Sequence, residues 1–166
     1  MTHSVLTPDE LRTLAVAAIE RVWNSDDWST AAQTYAEDVI AHVPFQEEPL
    51  RGREELRAFH ETLHTGFPDW HATVEHTLAE GDRVAMQWTI TGRHLGPFAG
   101  IPPTHKAFRT REAVVGRFGP DGRVAELWIY VDVAGIMRQL GLGPSLPPPK
   151  ALILALRLKQ RLSRKR

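Results

Sequence analysis

At Trp70 the hydrophobic repeat of this chain changes from helical spacing to an alternation of two, and it stays there to Asp132. Alternation is the signature of strands, whose successive side chains point to opposite faces. Four strands are predicted, at roughly 70–79, 82–94, 105–118 and 123–132, separated by turn residues at Glu80-Gly81, Gly100-Ile101-Pro102-Pro103 and Pro120-Asp121-Gly122. Short turns between strands make an antiparallel meander. Ahead of it the pattern is helical. Thr7-Pro8-Asp9-Glu10 opens a first helix as a capping box with Pro at its first position, followed by Leu11, Leu14, Ala15, Ala18, Ile19 and Val22 at helical spacing. Ser25 or Asp26 caps a predicted second helix through Ala31, Ala32 and Tyr35, Val39 to Val43 reads as a short strand, and a third helix follows Gly52 and ends at Gly66, with Leu56, Phe59 and Leu63 on one face. Helices segregated ahead of an antiparallel sheet define an α+β fold.

Within the second strand Val84, Met86, Trp88, Ile90 and His94 share one face, while Arg83, Gln87, Thr89 and Thr91 share the other. In the last strand both faces are apolar, since Leu127, Ile129 and Val131 oppose Trp128 and Tyr130. A sheet covered on both sides predicts a homodimer.

Composition removes several function classes. With 166 residues, 42% apolar composition and five Trp, the chain can bury one good core. It has no cysteine, so disulfides, thiolate nucleophiles and Cys-based metal sites are excluded. No apolar run is long enough to span a bilayer, and the first residues lack the pattern of a signal peptide, which predicts a cytoplasmic protein. The formal charge of zero conceals an asymmetry: from Lys150 onward there are seven basic residues and no acid, leaving residues 1–149 with 13 basic against 20 acidic groups. An acidic body argues against nucleic-acid binding, and the basic tail has no interleaved aromatics for base stacking.

The chemistry must therefore come from oxygen and nitrogen groups. Strand alternation puts Asp132 on the face of Trp128 and Tyr130, where aromatic walls would desolvate its carboxylate and make it a usable acid or base near neutrality. Asp132 is also a favoured helix N-cap for Val133 to Leu140. Glu112 shares its face with Phe108, Val114 and Phe118, which predicts an inward carboxyl and a second acid, or else a carboxylate paired with an arginine. His94 and His42 are placed to hydrogen-bond a substrate carbonyl, or to serve as satisfied structural groups. Tyr35, Phe59, Trp88, Trp128 and Tyr130 are candidates for the pocket wall or the core. His60-Glu61-Thr62-Leu63-His64 matches the His-Glu-x-x-His zinc pattern, but Leu56, Phe59 and Leu63 already explain that helix as a packing element, and no metal is expected there.

The runs Phe67-Pro68-Asp69-Trp70, Ala79-Glu80-Gly81-Asp82-Arg83-Val84-Ala85, Trp88-Thr89, Gly92-Arg93-His94-Leu95-Gly96, Gly100-Ile101-Pro102-Pro103-Thr104, Arg117, Asp121-Gly122-Arg123-Val124, Glu126-Leu127-Trp128, Asp132 and Gln139-Leu140-Gly141 resemble the SnoaL-like polyketide cyclase family, in the nuclear transport factor 2-like, ketosteroid-isomerase-like superfamily. The resemblance spans about residues 8 to 141. It implies a cone-shaped α+β barrel, a curved antiparallel sheet that encloses an apolar pocket with three N-terminal helices, usually paired into a homodimer. It also implies a cofactor-free intramolecular aldol ring closure on a hydrophobic polyketide, in secondary metabolism such as antibiotic biosynthesis, with the acid/base role on Asp132. Rival readings are epoxide opening by Asp132 with Glu112, a hydroxylase on the same fold, and a non-catalytic small-molecule-binding protein. Beyond the domain at 1–141, a Pro-rich linker at 142–149 leads to a basic amphipathic helix at 150–166. That helix would dock on the acidic body, meet a partner or make peripheral contact with an anionic membrane.

Overall fold

A computed structural model describes residues 6–143; most of the linker and the whole basic tail lie outside the described residues. The chain starts with α1 (Pro8–Ala18), whose Thr7 hydroxyl accepts from the Glu10 amide while the Glu10 carboxylate accepts from the Thr7 amide, the reciprocal cap expected from the sequence. The same rod continues as a wider, π-helical turn at Ile19–Asn24. The predicted second helix is shorter than expected: a 3-10 turn (Trp28–Thr30) and one turn of α2 (Ala31–Thr34) precede β1 (Tyr35–His42), so Tyr35 begins a strand. Its aromatic ring is buried there and its hydroxyl accepts from the Trp23 indole N–H at 2.7 Å. After β2 (Leu50–Arg51), α3 (Gly52–Gly66) takes in Gly52 itself and ends where expected. The meander is β3 (His71–Glu80), β4 (Arg83–Arg93), β5 (Ala107–Phe118) and β6 (Val124–Tyr130), and α4 (Val133–Gln139) closes the domain.

The six strands form one curved, unclosed sheet in the order β2-β1-β6-β5-β4-β3. All pairs are antiparallel except β1 with β6, which is parallel. One face of β4 and β5 turns toward α1 and α3. Val84, Met86, Trp88 and Ile90 of β4 and Phe108, Glu112, Val114 and Phe118 of β5 are all buried. Among the described residues no helix is long and apolar enough to cross a membrane.

The loop between β4 and β5 is fixed by close backbone contact with the end of α3. The amides of Leu95 and Gly96 both donate to the Gly66 carbonyl, at 3.0 and 3.1 Å. A Cβ on Gly96 would stand 2.0 Å from the Thr65 carbonyl oxygen, and one on Gly66 would stand 2.8 Å from Phe98 Cβ. Only glycines allow this approach, and it sets Phe98 against Phe67 at 5.1 Å between ring centroids. Gly96→Ala is therefore expected to destabilise the fold by about 1–3 kcal/mol, the usual cost of overpacking. A denaturant midpoint equal to wild type would contradict this packing.

Candidate active site

Between the inward face of β4, β5 and β6 and the helices lies a cavity of about 80 Å³. Trp23 from the π turn, Phe59 and Leu63 from α3, and Phe67 and Trp70 from the following loop form one wall. Trp88 and Ile90 of β4, Phe108 and Glu112 of β5, Ile129 of β6, then Val131 and Ile136 form the other, and Pro44, Phe45 and Phe98 stand at its edge. A second cavity of about 40 Å³, reaching Tyr35, shares Trp23, Trp88 and Ile129 with the first.

Glu112 is the one ionisable side chain lining this cavity among the described residues. It is 7% exposed and forms no salt bridge, and the residue opposite it on β4 is Trp88. Burial among rings penalises its charged form and raises its pKa from the ordinary 4.5 to about 8. The Trp88 indole N–H tempers the rise without closing a hydrogen bond of normal geometry. At neutral pH the cavity thus holds a protonated carboxyl, able to donate a hydrogen bond and a proton to an apolar guest.

The family model for SnoaL-like polyketide cyclases matches residues 13–140. The chain belongs to that family. AclR from Streptomyces galilaeus, a candidate hydroxylase, superposes with a TM-score of 0.76 at 25% identity over 96% of this chain and 98% of its own. IdmH from Streptomyces antibioticus, a candidate polyketide cyclase, gives a TM-score of 0.69 at 30% identity over 79% of this chain and 98% of its own. A SnoaL-like protein from Jannaschia shares the fold at a TM-score of 0.76 and 24% identity, over 85% of this chain and 99% of its own. No curated protein matches.

Within this SnoaL-like fold the sequence-predicted residues separate into two groups. Glu112, Trp88 and Phe59 line the cavity, and Tyr35 lines its smaller neighbour. Trp128, Tyr130 and His42 lie on the other side of the sheet. His42 stacks on Trp128 at 5.3 Å between centroids, its Nε2 is 3.0 Å from Glu126, and the Arg83 guanidinium covers the same indole. The His42 contact, with Arg117 beside it, holds the Glu126 carboxyl below its ordinary range. Tyr130 is 59% exposed.

This overturns the placement expected for Asp132 among aromatic walls. Leu127, Ile129 and Val131 face inward, so the Trp128 and Tyr130 face is the outer one. The Asp132 carboxylate is turned to the start of α4, where Oδ1 accepts from the Gly135 amide at 2.8 Å, and its side chain is 59% exposed. It nevertheless sits beside the cavity, because Val131 and Ile136 on either side of it are lining residues.

His94 is buried but does not line the cavity. Its ring packs on Phe67 at 5.1 Å, and its Nδ1 accepts from the Thr104 amide at 3.3 Å, which anchors the β4–β5 loop. Burial, with His105 nearby, holds it below the usual histidine range and so neutral. The wall residues that sequence reasoning missed are chiefly Phe45 and Phe98. They sit in loops, where no periodicity marks an inward ring, Phe45 is half exposed, and the two rings meet edge to face at 5.9 Å.

The Glu112 shift fixes a sign for stability. Between pH 4.5 and about 8 the folded protein keeps a proton that the unfolded chain releases, so stability is full below this window and falls as pH rises through it. The loss approaches about 5 kcal/mol at the upper end. Glu112→Gln should flatten this dependence, gaining on wild type most near pH 8; parallel stability curves for the two proteins would refute it.

Proposed function

We propose that this chain is a cofactor-independent cyclase that closes a carbon ring in an apolar, multiply carbonylated substrate of polyketide type. The observation that carries the reading is a single buried carboxyl, that of Glu112, without a cationic partner among the described residues and set in an otherwise apolar cavity. Protonated Glu112 hydrogen-bonds a substrate carbonyl and stabilises the enolate oxygen as the adjacent carbon loses its proton. The base in this reading is Asp132, carried by the family resemblance; to act it must leave the Gly135 amide and turn its carboxylate from the start of α4 toward the neighbouring cavity. The enolate carbon then attacks a second carbonyl carbon, the new alkoxide takes a proton from Glu112, and Asp132 returns its proton to that carboxylate. Such a step asks little of the protein beyond placement, because flanking carbonyls acidify the carbon and folding of the substrate supplies effective molarity. A cavity of about 80 Å³ is too small for a polyketide, so admission requires Phe45 and Phe98 to part at its edge.

Poly-β-keto esters and anthracycline-type precursors incubated with the protein, followed by mass analysis of products, test the reading. Aldol closure keeps the substrate mass or loses water. Hydroxylation, the reading favoured by the likeness to AclR, adds an oxygen atom instead. Glu112→Gln is expected to lower kcat by about 10²–10⁴-fold with binding retained, and wild-type turnover is expected to fall as pH rises through about 8. Unchanged turnover in Glu112→Gln would overturn the assignment of the acid.

A further inference from the structure

The His60-Glu61-Thr62-Leu63-His64 motif is not used by the cavity chemistry, and its geometry is that of a cation site. His60 and His64 lie one turn apart on α3, with ring centroids 4.4 Å apart. Both turn Nδ1 toward one oxygen of Asp26, His60 at 3.6 Å and His64 at 3.9 Å. The three donor atoms fall within 4.8 Å of one another. His60 Nε2 is 3.0 Å from the Val22 carbonyl, which can only accept, so the ring proton resides on Nε2 and the Nδ1 lone pair faces Asp26. A lone pair facing a carboxylate oxygen beyond hydrogen-bond range is two acceptors with nothing between them. His64 is the third group of the set. Its side chain is 9% exposed and its Nε2 is buried without a partner among the described residues, so no hydrogen bond among them holds this ring in place.

We propose that Asp26, His60 and His64 bind a divalent transition-metal ion of the zinc class. Two imidazoles and a carboxylate are a zinc donor set, and an imidazole fixed by a backbone carbonyl is the usual support for a metal-bound histidine. Tetrahedral coordination at bond lengths near 2.0–2.1 Å places donors about 3.3–3.5 Å apart. The two His–Asp26 separations, 3.6 and 3.9 Å, lie within about half an ångström of this, and all three donor atoms fall within 4.8 Å of one another. Asp26 is exposed, which leaves a path and a fourth position for water. The motif's Glu61 is not at this site: it pairs with Arg57 at 2.8 Å on the exposed side of α3, so the hydrolytic arrangement of the zincins is not assembled. The ion would instead tie the segment after the π turn to α3, beside Trp23 and Trp70. Trp23 packs on His60 at 5.1 Å, Trp70 on His64 at 5.9 Å, and both tryptophans wall the cavity.

Titration of the chelator-treated full-length protein with zinc chloride, by calorimetry and thermal shift, tests this, with cobalt(II) absorption as a report on coordination. One ion per chain and a raised Tm are expected. Asp26→Asn removes the charge at an exposed position whose positive φ of 50° asparagine accepts. It and His64→Gln should each weaken binding by more than the roughly 10–100-fold that loss of an outer-shell partner costs. Glu61→Gln should leave binding unchanged. No saturable zinc binding, or equal binding in wild type, Asp26→Asn and His64→Gln, would overturn the proposal.

Discussion

Which face of the sheet is inside is the constraint on which the rest of this structure depends. Because a strand's side chains alternate, a slip of one residue in β6 would exchange Ile129 and Val131 for Trp128 and Tyr130 in the cavity wall. The slip is prevented by the neighbours. Val114 of β5 pairs with Ile129 of β6, and Met86 of β4 pairs with Val114, so one register commits three strands to the same inward set. On the outer face the exchanged residues find their own partners, with Trp128 between His42 and Arg83 and with Glu126 between His42 and Arg117.

That register puts Glu112 where its charge is costly. A buried carboxyl can be paired with a cation, satisfied by several donors or kept protonated. Here no cation lies within ion-pair distance among the described residues, and the Trp88 indole N–H beside it does not complete a hydrogen bond. Protonation is what remains. The aromatic rings that make the site apolar are therefore also what makes the acid usable, and the cavity's shape and its chemistry have one cause. Its edge is built differently, from loops that glycines pull against α3, and Phe98 owes its position to backbone contacts at Gly66 and Gly96 rather than to strand order.

Much of this was legible in the sequence. The strand bounds, the long third helix and the inward Glu112 follow from periodicity, capping and turn residues, because long periodic segments signal their type strongly. The orientation of β6 was not legible from β6 itself, since both its faces are apolar. Only its pairing with β5 decides it, and pairing is a tertiary fact. The error with Asp132 has this origin: alternation correctly put it with Trp128 and Tyr130, but that face is the outer one. Asp132 then serves as the helix cap that its residue type also allowed. Tyr35 began a strand rather than ending a helix because its ring and hydroxyl are buried against Trp23, a long-range contact that overrides local helical spacing. Phe45 and Phe98 lay beyond any periodic argument.

The most direct test of this account is the titration of Glu112 itself, followed by carbon-13 NMR of its side-chain carboxyl in the folded protein, with Glu112→Gln used to assign the resonance. A midpoint of about 8 is expected, with the carboxyl protonated at neutral pH. A midpoint near the ordinary 4.5 would mean that the carboxylate is solvated or paired in solution, and the cavity would then hold no acid at neutral pH.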